Sequence, residues 1–232
     1  MSVRLLALET SGTAGSVAAW SDGQLVAERW LPSAEKSAKT LAPAMHDLLR
    51  EVGWRPAEVR AIGVVVGPGS FTGLRVGVTT AKTFAYAVRA DVVAVNTLDV
   101  IAHQSPLSDS SLSTVIDAQR GQLYVADYSR SNNGPWQQTS APAIIDIDAW
   151  LARLAPGTLV SGPAITKLAA RLSPQVVMVD ESWRTPSAAT VAQLAAERYA
   201  AGQRDDLWRL APLYLRRSAA EEKWEQRQQQ KG

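Results

Sequence analysis

The residues best suited to bind a ligand form a glycine-rich stretch between a strand-like and a helix-like segment. Gly67, Gly69, Gly73 and Gly77 follow the apolar run of residues 61–66, which predicts a buried strand, a tight loop and then a helix. Glycine permits positive φ and close backbone approach, and the free N–H groups of a helix start suit an anion. The stretch therefore indicates a phosphate-facing loop of an α/β protein.

The spacing within this loop excludes three well-known kinds of site. The phosphate loop of NTPases ends in Gly-Lys-Ser/Thr, whereas Gly73 is followed here by Leu74 and Arg75. The dinucleotide fingerprint has two residues between its second and third glycines, but three residues separate Gly69 from Gly73. Ser70 is not part of a Gly-x-Ser-x-Gly elbow, because neither flanking position holds glycine.

Two carboxylates lie at matching places in the two halves of the chain. Glu9 and Asp117 each end an apolar run, and each is followed by a polar turn and a returning strand. If the halves close on each other, both carboxylates point into one cleft together with Thr10 and Ser11, where carboxylate oxygens would suit Mg²⁺. The alternative is a vestigial pair that lies in solvent.

The composition excludes other chemistry. The 232 residues include no cysteine, so thiol nucleophiles and zinc–thiolate sites are ruled out. His46 and His103 are the only histidines and lie far apart, which disfavours a zinc peptidase and predicts ordinary surface or cap residues. A net charge of +2 is too small to indicate nucleic-acid binding. With no apolar run near ~20 residues and no signal-peptide layout, we expect a cytoplasmic protein without a membrane segment.

The elements that position these residues follow from periodicity and turn signals. An antiparallel meander is predicted over residues 3–30, a first helix over 37–52 and a second helix over 72–88. A Ser/Pro-rich linker then separates two halves, and the second half opens with a similar strand, turn and strand. The predicted divisions are an N-terminal lobe of residues 1–107, a C-terminal lobe of 108–217 and a charged tail of 218–232.

The first two helices carry apolar residues in stripes. Helix one has a Leu/Met stripe, and helix two has a stripe of small residues at every fourth position, with larger apolar residues on other faces. Each stripe alone fits packing on the chain's own sheet as well as it fits a partner. Because helix two is apolar on more than one side, we expect a partner to cover one of them. The predicted interface consists of Leu41, Met45, Leu48, Leu74, Val78, Ala81 and Ala85.

This layout suggests an α/β, two-lobed actin-like fold of the sugar kinase, heat-shock ATPase and actin superfamily, with mixed sheets and a degenerate second lobe. The chain resembles the TsaB (YeaZ-like) family, the non-catalytic subunits of bacterial tRNA threonylcarbamoyladenosine synthesis, over nearly its whole length. Two departures are Lys36, where family members often have His, and Gln119, where they often have Arg. The resemblance rests on Leu8–Ser11, Gly67–Lys82, Asp117–Tyr124 and Ala211–Arg216.

The resemblance implies a subunit with no catalytic residue and no metal of its own, which binds TsaD as a heterodimer and forms a homodimer when alone. With a TsaE-like ATPase, the complex uses ATP to transfer a threonylcarbamoyl group to the adenosine beside the tRNA anticodon, and this chain meets tRNA only through the complex. The chain requires no cofactor, and any binding of ATP with Mg²⁺ is expected to be weak. The alternative is a minimal ATPase or kinase that uses Glu9, Asp117 and the glycine loop.

Overall fold

Each of two β-sheets forms the centre of one lobe in the computed structural model, which describes residues 3–32, 37–106, 111–131 and 134–216. In the first sheet an antiparallel meander is followed by two strands parallel to its first strand, in the order β3-β2-β1-β4-β5. The strands are β1 (Leu5–Glu9), β2 (Ser16–Ser21), β3 (Gln24–Trp30), β4 (Ala61–Gly67) and β5 (Asp91–Asn96).

Helices cover both faces of the first sheet, so its central strands are apolar on both sides. Since side chains alternate across a strand, Leu6 and Leu8 of β1 face the core shared with the first two helices, while Leu5 and Ala7 face the last helix. The first face is covered by α1 (Ser37–Glu51) and α2 (Phe71–Val88), and the second by α6 (Ala188–Ala200).

The helix ends follow ordinary capping chemistry. Ser70 begins α2 by accepting a hydrogen bond from the Gly73 N–H at 3.2 Å, and Arg89 ends that helix in the left-handed conformation. Asn96 begins α3 (Thr97–Gln104), since its side chain accepts a hydrogen bond from the Leu98 N–H at 2.8 Å.

The second sheet repeats the strand order of the first, but its outer strands are shorter, which agrees with the predicted degenerate second lobe. Its order is β11-β10-β6-β7-β8, with β6 and β7 antiparallel and β10 parallel to β6. Both β8 and β9 pair with β7, at opposite ends of that strand. The elements are β6 (Ser111–Asp117), β7 (Gln122–Ser129), β8 (Gln137–Gln138), β9 (Ala143–Asp146), α4 (Ile147–Arg153), β10 (Leu159–Ser161), α5 (Ile165–Leu168) and β11 (Val177–Met178).

The two lobes are joined by α3, whose Leu98 and Ile101 pack into the core of the second lobe. Its Asp99 accepts hydrogen bonds from the Tyr128 hydroxyl at 2.9 Å and from Arg198 at 3.1 Å. This carboxylate therefore ties together the linking helix, the second sheet and α6.

The predicted C-terminal lobe of residues 108–217 needs correcting, because its last part belongs to the first lobe. Residues 188–200 form α6, which packs on the first sheet, and Asp205 pairs with Val92 at the edge of the same sheet. The chain thus returns to the first lobe after Ser187, because that sheet needs a second apolar cover. The predicted tail of 218–232 lies outside the described residues. Within the described ranges, no helix is long and apolar enough to cross a membrane.

Candidate functional site

A cleft of about 1160 Å³ lies where the turns of both lobes face each other. The turn after β1, the glycine loop before α2 and the turn between β6 and β7 form its rim, together with α5 and the last described residues. Its polar and charged lining includes Ser11, Thr13, Ser70, Arg75, Asp117, Gln119, Arg120, Lys167 and Arg216. The cleft is the place where the sequence predicts a vestigial nucleotide or metal site.

Glu9 does not point into this cleft, contrary to the prediction. Its side chain is fully buried, and Oε1 accepts hydrogen bonds from the Ser11 N–H at 2.7 Å and from the Ser11 hydroxyl. Oε2 is also buried and has no hydrogen-bond partner within the described part of the chain. Burial away from water raises the pKa of Glu9 to about 7, and the bonds from Ser11 offset only part of this rise. Glu9 therefore shapes the turn rather than offering a metal ligand.

Asp117 does line the cleft, but both of its oxygens already have partners. Oδ2 lies 3.0 Å from Nζ of Lys167, and Oδ1 accepts a hydrogen bond from the Gln119 N–H at 2.8 Å. No group of three or more His, Asp or Glu side chains in the described ranges is arranged to hold a metal ion. The residues present do not fit a magnesium-bound nucleotide, because one carboxylate is sealed in the core and the other is neutralised by a lysine.

The two histidines lie on different helices. His46 is exposed on α1, with Nδ1 3.4 Å from the carboxylate of Asp47, whereas Nδ1 of His103 lies 3.1 Å from the Asp99 carbonyl oxygen on α3. They belong to different helices and share no ligand geometry.

The glycine loop and the small-residue stripe serve the packing of α2 on the chain itself. A Cβ at Gly73 would clash with the carbonyl oxygen of Thr10, and one at Gly77 would clash with the Thr10 side chain. Ser70 N–H also donates to the carbonyl oxygen of Ser11 at 2.7 Å. The small residues therefore let α2 lie directly on the turn after β1, and Thr10 is buried beneath the helix.

All seven residues predicted for the partner interface are buried within the single chain, at 4% exposure or less. Leu41, Met45 and Leu48 of α1 share a core with Val78 on α2, and Leu74 packs into the core on the α6 side. These residues hold the subunit together and cannot contact a partner as they lie. The apolar periodicity of α2 is thus explained without a second protein.

A C-terminal segment covers part of α2, although no periodicity in the sequence predicts this contact. We call residues 205–216 the C-terminal strap. Lys82 of α2 donates to the carbonyl oxygens of Trp208 and Leu210, both at 3.0 Å, and Leu207 and Leu210 pack against the core between α1 and α2. Leu213 N–H donates to the carbonyl oxygen of Val66 at 2.7 Å. In the sequence, the only indication of this contact is the Ala211–Arg216 motif, one of the stretches that carry the family resemblance.

The strap ends at the cleft and connects to both lobes. The Tyr214 ring lies 4.7 Å from the Phe71 ring at the start of α2, and Tyr214 OH accepts a hydrogen bond from Arg75 at 2.9 Å. Arg216 donates to the carbonyl oxygen of Ala118 and to the side chain of Gln122 in the second lobe. The strap therefore fixes one wall of the cleft.

The outward faces of α1 and α2 carry other residues. Exposed positions on α1 include Ala38, Ala42 and His46, and those on α2 include Thr72, Thr79, Thr83 and Ala87. At the end of α2, Tyr86 and Trp208 of the strap are 67% and 73% exposed, with their rings in an edge contact at 5.6 Å. A partner would meet mainly small and polar side chains on this helix pair, flanked by two aromatic rings.

The repeated meander-and-parallel-strand order of both sheets, with a cleft between them, defines a two-lobed actin-like protein, as predicted. The activator of 2-hydroxyisocaproyl-CoA dehydratase from Clostridium difficile, solved with bound ADPNP, shares this fold. Its TM-score is 0.50 at 10% identity, over 88% of this chain and 99% of that chain.

Within this class, the model of the TsaD family, described as tRNA N6-adenosine threonylcarbamoyltransferase, matches residues 32–181. The match covers more than half of the chain, which therefore belongs to that family. TsaB of Bacillus subtilis, named as a tRNA threonylcarbamoyladenosine biosynthesis protein, is 29% identical over 95% of this chain and 97% of that protein. YeaZ from Pseudomonas aeruginosa superposes with a TM-score of 0.78 at 26% identity, over 92% of this chain and all of that one. The expected similarity to the TsaB (YeaZ-like) proteins is confirmed.

Proposed function

We propose that this chain is a non-catalytic subunit in tRNA threonylcarbamoyladenosine biosynthesis. The observation that carries the proposal is the end-to-end similarity to a protein named for that pathway. The state of the cleft supports a role without catalysis, because Glu9 is enclosed in the core and Asp117 is paired with Lys167. The same two features weigh against the alternative of a minimal ATPase or kinase.

The partner we propose is a TsaD-like protein that forms a heterodimer with this chain. The matching family model is that of the transferase itself, and the matched residues include α1 and α2. A two-fold dimer uses the same surface patch on both subunits, so a partner of the same fold can take the place of one copy through the corresponding helices. Small exposed residues such as Ala42, Thr79 and Thr83 favour such pairing, because they let helices approach toward the short end of the ~8–10 Å range.

The rest of the assembly follows from the same proposal. The chain pairs with itself when TsaD is absent, through the same helix faces. A TsaE-like ATPase joins the heterodimer, and ATP is consumed by the complex rather than by this chain. Contact with tRNA is indirect, through the partner.

Substitutions on the exposed helix faces test the docking surface. Ala42→Arg and Thr79→Arg each place a long cation on the outward side of a helix that the structure leaves exposed, so the subunit should fold normally. We expect at least about a hundredfold loss of affinity for the TsaD-like protein of the same genome, since an unpaired interface charge costs several kcal/mol. The matched control is Ala149→Arg, an exposed position on α4 of the other lobe.

Size-exclusion chromatography and calorimetry measure that association. Unchanged binding by both α1 and α2 variants would refute the docking face while leaving the pathway assignment untouched. The function itself is tested by a tRNA modification assay in which each purified component is omitted in turn. Modification without this chain, or ATP turnover by this chain alone, would contradict the proposed role.

A further inference from the structure

The two most exposed large apolar side chains lie together at the C-terminal end of α2. Tyr86 is 67% exposed and Trp208 of the strap is 73% exposed, whereas no other large apolar side chain in the described ranges exceeds 49%. Their rings meet edge to face, with the ring centres 5.6 Å apart. Single exposed apolar residues are ordinary, but two touching aromatic rings form a contiguous patch, and contiguous apolar patches are characteristic of interaction sites.

The backbone beneath Trp208 is held in place even though the ring is exposed. The Trp208 N–H donates to Oδ1 of Asp206 at 2.7 Å, and the Trp208 carbonyl oxygen accepts from Nζ of Lys82 at 3.0 Å. Leu207 and Leu210 of the same segment pack against the core between α1 and α2. The ring is therefore presented by a fixed backbone, so covering it requires little additional ordering of the chain.

Tyr86 lies on the same outward stripe of α2 as the proposed docking residues. Thr72, Thr79, Thr83 and Tyr86 are all exposed. Since residues three, four and seven positions apart share one face of a helix, this stripe runs the length of α2 and ends at the aromatic pair. The patch is thus continuous with the surface proposed to contact the TsaD-like protein.

The stripe and the aromatic pair contribute different things to an interface. Threonine and alanine let two helices approach closely, but each of them buries little apolar area. Tryptophan and tyrosine are the residue types that most often carry a large share of binding energy, especially within a polar rim. Such a rim is present here, because Asp206 and Arg209 lie near Trp208 in the chain and pair with each other at 3.9 Å.

We propose that Tyr86 and Trp208 anchor the TsaD-like partner, so that the strap forms part of the docking face. The proposal rests on the function proposed above and states where the binding energy of that contact is concentrated. The partner it requires has an apolar pocket beside the helices that meet α1 and α2, because exposed rings stabilise a complex only when they leave water.

Calorimetry of the full chain with the TsaD-like protein of the same genome tests the anchor. Trp208→Ala should weaken binding about 30-fold or more and Tyr86→Ala about tenfold, because truncation of an aromatic anchor removes most of its contact area. The matched control is Trp183→Ala, which removes an exposed tryptophan of the second lobe and should leave the affinity unchanged. All three variants should keep their thermal midpoints within about 3 °C of the unmodified chain, since exposed side chains contribute little to stability.

Thr79→Arg separates failure of the anchor from failure of the docking face. Unchanged binding by Trp208→Ala and Tyr86→Ala, together with lost binding by Thr79→Arg, would overturn the anchor and leave the proposed function standing. Unchanged binding by all three variants would overturn the docking face as well. Equal weakening by Trp183→Ala would overturn the anchor, and so would a loss confined to self-association, because the patch would then serve a second copy of this chain.

Discussion

The buried carboxyl group of Glu9 predicts an unusual dependence of stability on pH. The pKa of this group is raised from 4.5 to about 7 in the folded chain, chiefly by burial, so the folded state holds its proton more tightly than the unfolded state. The contribution to stability is therefore largest at low pH and is lost as pH rises through about 7. One pKa unit corresponds to about 1.4 kcal/mol, so the full effect is about 3 kcal/mol.

Urea unfolding at about pH 5 and pH 8 measures this effect in the unmodified chain and in Glu9→Gln. Glutamine is neutral at both pH values and keeps an oxygen that accepts from Ser11. We expect the free energy of unfolding of the unmodified chain to fall by about 2–3 kcal/mol more than that of the variant between these pH values.

Glu58→Gln is the control, because the pKa of Glu58 is shifted in the opposite direction to that of Glu9. Between about pH 5 and pH 8 this variant should show the same pH dependence as the unmodified chain. Hydrogen bonding to the Arg55 N–H lowers the pKa of Glu58, so its contribution is lost only as pH falls below the window of the experiment. The same pH dependence in the unmodified chain and in Glu9→Gln would refute a protonated, buried Glu9.

Two further substitutions test the interior of the first lobe. Val78→Arg should unfold the subunit or lower its free energy of unfolding by about 4 kcal/mol or more, because Val78 is 3% exposed within the core. The control is Thr79→Arg at the neighbouring exposed position, which should fold, and equal thermal midpoints of the two variants would show that Val78 is not a core residue. Gly73→Ala should lower the free energy of unfolding by about 2 kcal/mol or more, since its Cβ would clash with the Thr10 carbonyl oxygen. The control is Gly12→Ala, where a Cβ has room, and equal stability of the two variants in urea would contradict the close approach of α2 to the turn after β1.

The sequence predicts the helices and strands of this fold better than it predicts which segment packs on each apolar face. The first helix was expected over residues 37–52 and spans Ser37–Glu51, and the second was expected over 72–88 and spans Phe71–Val88. Periodicity identifies the apolar faces of these helices but carries no information about which element lies against each face. The strap reaches α2 from more than a hundred residues away, so a face that looked unpartnered is covered within the chain.

The candidate site shows the same limit at the level of single residues. Asp117 lines the cleft, whereas Glu9, at the matching strand end, is enclosed. Position in a strand places a residue at the edge of the sheet, but the burial of its side chain depends on how the following turn folds. Here Ser11 folds back on Glu9, and α2 lies over Thr10.

A glycine-rich loop need not signal a phosphate ligand in this architecture. Gly73 and Gly77 are required by the contact between α2 and the turn after β1, a contact inside the first lobe that would be needed whether or not a nucleotide binds. The glycine loop by itself is therefore no evidence for a nucleotide ligand in this chain.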